Sequence, residues 1–345
     1  MRLAVLAVFA LVACKDAEPV PVGPPAHRAF YFWRTTFRLS PQERLALAEL
    51  HTERLYTRVF DVAWTTDAPQ FLGKLSSADG SGVPAGVEIV PVVYLKNEVF
   101  SHATGDRAAA LAKEVWAEVT ARITALPAAA PRELQLDCDW TDTTKDAYFA
   151  FLRGLRTAAP GVALSATIRL HQIKYRERTG VPPIDRGMLM FYNMGKFSPD
   201  PDARSIFDPD AAARYVARVH EYPLPLDVAL PIWSWVVQVR DDRVIDLLQS
   251  TDPDELANVD FLDRSAPDRY VATRGAFLHG VLLREGDVLK VEVTGPTEST
   301  AAARMIQSYL APSATSRTVS LFDLSERNLN RHGIQNLDRV YRSVR

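Results

Sequence analysis

Short apolar runs recur along the chain, and stretches with helical periodicity usually separate them. Eight of these runs are strand-like: 29–33, 54–60, 88–95, 133–139, 163–168, 187–192, 227–235 and 318–322. Strands that alternate with helices pair in parallel, and the near-continuous apolarity of 87–95 indicates a strand buried on both faces. The pattern predicts an α/β fold, a closed (β/α)8 TIM-like barrel.

Helix start signals support this alternation. Ser40, Pro41 and Glu43 supply an N-cap, a first-turn proline and a capping-box carboxylate. Further helices are predicted over 106–126, 144–159 and 210–220, the last opened by Asp208-Pro209. Between 64 and 87 the pattern supports only a short helical piece before residue 76, so the second helix is predicted to be degenerate.

The segment after the seventh strand is longer than one loop and one helix require. Within it, 270–278 and 281–293 have strand patterns, and the polar residues 284–287 indicate a turn. We therefore predict a small insertion over about 240–300, built over the mouth of the barrel.

The chain begins with a processing signal. Residues 1–13 are mostly apolar after Arg2 and too short to span a bilayer. The tetrapeptide at 11–14, Leu-Val-Ala-Cys, resembles the lipobox of bacterial lipoproteins, which implies lipid acylation of Cys14. The proline-rich stretch 14–27 is then a tether, and 28–345 form the barrel. The alternative is an ordinary secretory signal with an incidental cysteine.

The lipobox resemblance places the chain in a bacterial cell envelope. Lys15 replaces the aspartate that commonly signals inner-membrane retention, which favours the outer membrane. Cys138 is then the remaining thiol, no intrachain disulfide can form, and we expect Cys138 to serve packing.

The charge of the chain gives no sign of a nucleic-acid ligand. Forty basic and forty-two acidic residues give a net charge of −2, and no basic run predicts nucleic-acid binding. No second apolar stretch is long enough to span a membrane.

The strand at 134–141 turns acidic only at its carboxyl end. Because side chains alternate across a strand, Leu134, Leu136 and Cys138 share one face, and Asp137 and Asp139 lie on the other. Two carboxylates on one face repel each other, and their burial is costly without partners. Enzymes with this fold place their chemistry at such strand ends.

The other predicted strand ends are also polar or aromatic. They carry Asp61, Trp64, Lys96, Asn97, Arg169, His171, Tyr192, Asn193, Trp233, Trp235 and Asp323. Aromatic faces with carboxylates and amides suit sugars, which have apolar faces and hydroxyl rims. The tryptophans, including Trp33, could equally fill the core.

Three of these strand ends resemble family-18 glycoside hydrolases, the chitinase-like barrels. Residues 137–140, Asp-Cys-Asp-Trp, resemble part of that family's acidic signature. Residues 190–193, Met-Phe-Tyr-Asn, resemble its Met-x-Tyr-Asp strand, and 230–234 resemble its Gly-hydrophobe-Pro-x-Tyr-Gly strand. The likeness covers the barrel from the fourth strand onward. The chain also resembles a group of bacterial lipoproteins with chitinase-like barrels and no assigned activity.

The resemblance implies substrate-assisted hydrolysis, in which the substrate's N-acetyl group attacks the anomeric carbon. Asp139 matches the orienting aspartate, Tyr192 the tyrosine beside it and Asp137 the supporting aspartate. The sequence departs from the family at three positions: Leu134 and Asn193 replace aspartates, and Thr141 replaces the glutamate that acts as the acid. A threonine hydroxyl cannot donate a proton at neutral pH.

Two functions remain open. The first is a glycoside hydrolase-like barrel that acts on an envelope or extracellular polysaccharide by non-standard acid/base chemistry. Asp139 would be its acid, and Asp61 or Asp323 would be alternatives. The second is a non-catalytic carbohydrate-binding lipoprotein.

A minor third function is hydrolysis through a metal on Asp61, Asp137, Asp139 and His171. No His-x-His or His-Glu-x-x-His pattern supports it. We predict no metal and no cofactor.

Overall fold

The structure is a computed structural model of the 345-residue chain, and it describes residues 23–78, 82–126, 130–249 and 251–345. Cys14, the predicted signal peptide and most of the predicted tether lie outside the described residues. Within the described ranges, no helix is both long enough and apolar enough to cross a membrane.

Eight parallel strands close into a barrel, which confirms the predicted fold class. They are β1 (His27–Phe32), β2 (Arg54–Thr65), β3 (Glu88–Leu95), β4 (Glu133–Cys138), β5 (Ala163–Arg169), β6 (Arg186–Met190), β7 (Leu226–Pro231) and β8 (Thr318–Phe322). Each strand pairs with the next in chain order, and β1 pairs with both β2 and β8 to close the ring. All carboxyl ends therefore open on one face, where the connecting loops can build a site.

Helices connect the strands and cover the outside of the barrel. They are α1 (Pro41–Glu49), α2 (Val99–His102), α3 (Asp106–Thr124), α4 (Lys145–Ala158), α5 (Leu170–Lys174), α6 (Arg176–Thr179), α7 (Pro209–Val216), α8 (Pro296–Gln307), α9 (Glu326–His332) and α10 (Ile334–Arg342). The predicted capping box of α1 is present, since Ser40 Oγ accepts from Glu43 N–H and the Glu43 carboxylate accepts from Ser40 N–H. The predicted helix over 210–220 ends at Val216, and a 3-10 turn (Val219–Glu221) follows it.

The connection between β2 and β3 differs from the prediction. In place of the predicted short helical piece, a strand (Ala68–Leu72) folds back antiparallel onto β2. Burial alternates along this strand, and Phe71 packs on Phe60 with the ring centroids 5.4 Å apart. The local period is therefore two, so the helical prediction was wrong, whereas the predicted loss of a regular second helix is confirmed. Two short strands, Thr36–Phe37 and Ser76–Ser77, also pair beside the barrel.

An insertion after β7 forms a five-stranded antiparallel sheet. In spatial order its strands are Arg243–Leu248, Ser234–Arg240, Val288–Val293, Arg269–Ala272 and Leu262–Ala266. The hairpin Ala276–Leu278 with Val281–Leu283 and the 3-10 helix Pro253–Asn258 complete it. Trp235, Val237 and Val239 pack with Met190 and Tyr192, so the sheet lies against the mouth of the barrel.

Three predicted strands of this region have different bounds. The predicted strand 227–235 ends at Pro231, and its last two residues, Ser234 and Trp235, begin the inserted sheet. The predicted strands 270–278 and 281–293 are each interrupted. The second interruption is the predicted turn at 284–287, where Gly286 has φ +85°, a conformation that favours glycine.

The predicted division of β4 into two faces is confirmed. Leu134, Leu136 and Cys138 belong to the apolar layer between barrel and helices. Gln135 points into the barrel, where its Oε1 accepts a hydrogen bond of 2.6 Å from Tyr31 Oη. Burial raises the pKa of the Cys138 thiol well above its usual range, which agrees with a packing role.

An ion pair occupies the opposite, amino end of the barrel. Both Asp227 carboxylate oxygens contact Arg186, at 2.6 and 2.9 Å, and Oδ1 also accepts from Thr318 N–H at 2.5 Å. Burial nevertheless raises the pKa of Asp227 to about 6. The folded chain therefore holds this proton more tightly than the unfolded chain does.

We expect the Asp227 contribution to the free energy of unfolding to fall as the pH rises from about 4 to about 6. Stability linked to a raised carboxyl pKa is complete below the unfolded value and is lost through the folded one. The Asp227 contribution is on the order of 2–3 kcal/mol. In urea denaturation, the free energy of unfolding of the wild-type chain minus that of Asp227→Asn should therefore fall across this range. A constant difference would contradict the assignment.

Candidate functional site

Two adjoining cavities open at the carboxyl end of the barrel. Their volumes are about 560 and 460 Å³, within the range of small-ligand pockets. Arg169, Met190, Tyr192 and Asn193 line both cavities. The two cavities therefore share one wall, and we call them together the mouth cleft.

The two carboxylates of the β4 end lie in the mouth cleft and share one cation. Arg169 Nε donates to Asp139 Oδ1 at 2.5 Å, and Arg169 Nη2 lies 3.5 Å from Asp137 Oδ1. Thr167 Oγ1 donates to the same Asp137 oxygen at 2.6 Å. The register between β4 and β5 explains this grouping. Gln135 pairs with Ser165, and in the same register Asp137 lies beside Thr167 and Asp139 beside Arg169.

Burial separates the roles of the two carboxylates. The Asp137 side chain is 6% exposed, whereas that of Asp139 is 52% exposed. Burial raises the pKa of Asp137, and the neighbouring Arg169 guanidinium opposes this rise. Asp137 therefore belongs to the floor of the cleft, and Asp139 faces the solvent-filled side.

Tyr192 stands between the two cavities. Its ring meets Trp233 edge-on at 4.7 Å, and its hydroxyl lies 3.4 Å from Met190 Sδ. Burial raises the pKa of Tyr192 above its usual range, so the phenol stays protonated and can donate a hydrogen bond.

Asn193 turns the chain directly after Tyr192. It has φ +54°, a left-handed conformation that asparagine tolerates better than most residues, and its N–H donates to Ile206 O at 2.8 Å. It lines both cavities beside Tyr192.

The tryptophans form an aromatic wall of the first cavity. The ring centroid of Trp233 lies 5.9 Å from that of Trp235 and 5.3 Å from that of Phe322. The centroids of Trp33 and Phe322 are 5.5 Å apart. All four line the cavity. Trp233 and Trp235 are each only 9% exposed and belong to a buried cluster, so they pack in the core and also border the cavity. Their role in sugar binding stays a prediction.

Asp323 extends the polar part of the same cavity. Its Oδ1 accepts from Asn328 Nδ2 at 2.8 Å, and burial raises its pKa. Arg34 and Arg327 also line this cavity and oppose that rise. Asp323 and Asp137 are therefore two acids in one cavity.

Thr141 lines the second cavity and bonds to neighbouring hydroxyls. Its Oγ1 lies 3.0 Å from Thr143 Oγ1 and 3.2 Å from Thr144 Oγ1. Trp140 points the other way, into the core, where it stacks on Tyr148 and donates to Thr179 O. Of the acidic signature, only the two aspartates and Thr141 reach the cleft.

Three predicted binding residues lie outside the described walls of the mouth cleft. Asp61 is ion-paired with Arg58, with Nε and Oδ1 2.6 Å apart. The ring of Trp64 stacks on that of His102, with the ring centroids 5.1 Å apart. Asn97 accepts from Thr144 at 2.6 Å. Each therefore has a partner elsewhere, and its binding role stays a prediction.

His171 lies in the second cavity, where burial lowers its pKa and favours the neutral ring. Among the residues that the structure describes, no group of three histidine, cysteine or acidic side chains is placed to hold a metal ion.

The structure adds cleft residues that the sequence patterns did not mark. In the first cavity they include Arg34, Gln249, Ser325, Arg327 and Asn328. Arg34 directly follows Trp33, so an extended search of strand ends would have found it. Gln249 comes from the insertion, and nothing in its neighbourhood indicates that it faces the cleft.

Comparison with known proteins places the fold. No protein-family model matches the sequence, and no curated protein matches it. Among solved structures, the spore cortex-lytic enzyme SleL of Bacillus cereus matches at 12% identity and a TM-score of 0.51, over 94% of this chain and 76% of SleL. A chitinase from Bacteroides thetaiotaomicron matches at 13% identity and a TM-score of 0.51, over 92% of this chain and 97% of the chitinase. The chain therefore has the barrel fold of these proteins, as the resemblance to chitinase-like barrels implied.

Proposed function

We propose that this chain is a lipid-anchored carbohydrate-binding protein that holds a polysaccharide in the mouth cleft without cleaving it. The observation that carries the proposal is the contact of Arg169 with both carboxylates of the β4 end. The aromatic wall and the polar floor supply the binding surface.

The Arg169 contact disfavours acid catalysis from β4. A guanidinium only donates hydrogen bonds, so Asp139 Oδ1, 2.5 Å from Arg169 Nε, is held as an acceptor. Asp137 is buried below it and also accepts from Thr167. Thr141 stands where the resemblance implies an acid, and its hydroxyl cannot supply the proton.

The walls of the cleft favour a sugar. A pyranose ring has an apolar face that packs on aromatic rings, and Trp33, Trp233 and Trp235 offer such rings. Arg169 and Asn193 offer donors and acceptors for ring hydroxyls. Two adjoining cavities favour a chain of several rings over a single sugar.

The second candidate function is glycoside hydrolysis by a different acid, and Asp323 favours it. Its carboxyl lines the cavity that also holds Asp137, and burial raises its pKa towards the range of a proton donor. Against this candidate, Asn328 donates to Asp323 Oδ1, a bond that stabilises the carboxylate.

The start of the described chain is compatible with a lipid anchor on Cys14. Gly23 lies beside Arg345 and Ser313, and His27 N–H donates to Arg317 O, all at the amino end of the barrel strands. Gly23 and His27 therefore lie at the end of the barrel opposite the mouth cleft. We propose that the chain is anchored in the outer membrane. The mouth cleft would then face a ligand in the envelope space beyond the anchoring leaflet.

Trp233→Ala should weaken the binding of chito-oligosaccharides about 10- to 100-fold. Loss of one large aromatic contact corresponds to about 1.5–3 kcal/mol. Isothermal titration calorimetry measures the change. Trp116→Ala is the matched control, because Trp116 lies on α3 outside the barrel and should leave the affinity unchanged. Equal affinities of wild-type and Trp233→Ala chains would contradict the proposed site.

Prolonged incubation of the wild-type chain with chitin, peptidoglycan and cellulose fragments should release no reducing ends. This outcome follows from the engagement of Asp139 by Arg169 and from Thr141 at the acid position. Release that disappears in Asp323→Asn but persists in Asp61→Asn would establish the second candidate instead.

Cys14→Ser should abolish metabolic labelling of the chain by an alkyne fatty acid and release it from the membrane fraction. Cys138→Ser is the matched control, since Cys138 is the only other cysteine and is buried. Labelling that persists in Cys14→Ser would contradict lipid anchoring.

A further inference from the structure

A buried ion pair lies where the insertion meets the barrel. Lys290 and Glu292 are on the strand Val288–Val293, two residues apart and therefore on one face. Their side chains are 1% and 3% exposed, and Lys290 Nζ lies 3.2 Å from Glu292 Oε1. Charges buried this deeply persist only when other groups satisfy them.

Lys290 binds the backbone of the segment between β6 and α7. Its ammonium donates to Asp200 O at 2.9 Å and to Ala203 O at 2.6 Å, and Ser198 O lies at 3.5 Å. Because these carbonyls come from three positions of one segment, the ammonium fixes the path of that segment against the insertion.

Glu292 binds the same segment and the cleft wall together. Its Oε2 accepts from Ser205 N–H at 2.8 Å and from Ser205 Oγ at 2.5 Å. Trp235 Nε1 donates to the same oxygen at 3.4 Å, and Trp235 is directly opposite Glu292 in the sheet register. One carboxylate thus orients a cleft tryptophan and anchors the neighbouring segment.

The anchored segment brings a second aromatic ring to Trp235. Phe197 is 44% exposed, and its ring centroid lies 5.0 Å from that of Trp235. Trp235 is part of the wall of the first cavity. The Phe197–Trp235 pair therefore continues the aromatic wall outward from the mouth cleft towards solvent.

We propose that Phe197 and Trp235 form an outer subsite for one further sugar ring, and that Lys290 and Glu292 are its positioning residues. The proposal rests on the proposed carbohydrate-binding function. The inserted sheet and the barrel each contribute one ring, so the subsite exists only while the ion pair holds the two parts in register. The insertion thereby sets the length of chain that the cleft prefers.

The experiment compares a long and a short probe, chitohexaose and chitobiose, by calorimetry on the full-length chain. Phe197→Ala should weaken binding of the hexaose about 5- to 20-fold and leave binding of the biose unchanged, because only the longer chain reaches the outer subsite. Trp233→Ala should weaken both. Phe277→Ala, a second exposed phenylalanine on the hairpin of the insertion, is the matched control and should change neither.

Glu292→Gln tests the positioning role. It should reproduce the length-selective loss of Phe197→Ala and speed hydrogen exchange of the Ser205 amide at least tenfold. A merely structural role would instead weaken both probes equally. Phe197→Ala removes only a partly exposed side chain, so its binding measurements still test the outer subsite if Glu292→Gln fails to fold. The hydrogen-exchange measurement on Glu292→Gln does not need a ligand.

The outcomes separate the two proposals. Unchanged affinity of Phe197→Ala for the hexaose, or equal loss for both probes, would overturn the outer subsite alone. Failure of the wild-type chain to bind chito-, cello- or peptidoglycan-derived oligosaccharides would overturn the proposed function and the subsite with it.

Discussion

The mouth of the barrel is organised by one guanidinium. Asp137 and Asp139 end β4 on the same inward face, and two carboxylates so placed repel each other unless a cation lies between them. Arg169, at the end of the neighbouring strand, supplies that cation and contacts both. Arg169 also lines both cavities of the cleft. Arg169 therefore stabilises the acidic strand end and also holds Asp139 Oδ1 as a hydrogen-bond acceptor.

The inserted sheet depends on a second pair of charges for the same physical reason. Lys290 and Glu292 are buried as deeply as apolar side chains, and their stability there requires nearly every donor and acceptor to be satisfied. Backbone carbonyls accept from the Lys290 ammonium and Ser205 donates to Glu292 Oε2, whereas Glu292 Oε1 has only the Lys290 contact at 3.2 Å. These contacts tie the segment after β6 to the insertion. Polar contacts of this kind specify one arrangement more strictly than apolar contacts do. The outer wall of the cleft is accordingly a defined surface.

Much of the barrel could be predicted because its signals are local. Apolar runs, the capping box at Ser40 and the alternation of β4 all depend on neighbours in sequence. The errors arose where tertiary pairing decided the outcome. Residues 68–72 became a strand by pairing with the long β2, and the run 227–235 divided because Ser234 onwards pairs with Val288–Val293. Asp137, Asp139 and Tyr192 were found from strand ends, but the Arg169 contacts depend on the register between strands.

The fold alone does not decide whether the cleft cleaves its ligand. A barrel shared with a chitinase at 13% identity fixes where strand ends meet but not which side chains they carry. Hydrolysis needs a proton at the leaving oxygen, and each acid near the cleft is constrained in its own way. Arg169 engages Asp139, burial places Asp137 beneath it, and Asn328 donates to Asp323. A ligand held only by the aromatic wall and the polar floor needs no such proton. The proposed binding function therefore uses only the contacts that the described residues supply, whereas cleavage would also need a proton from one of these constrained acids.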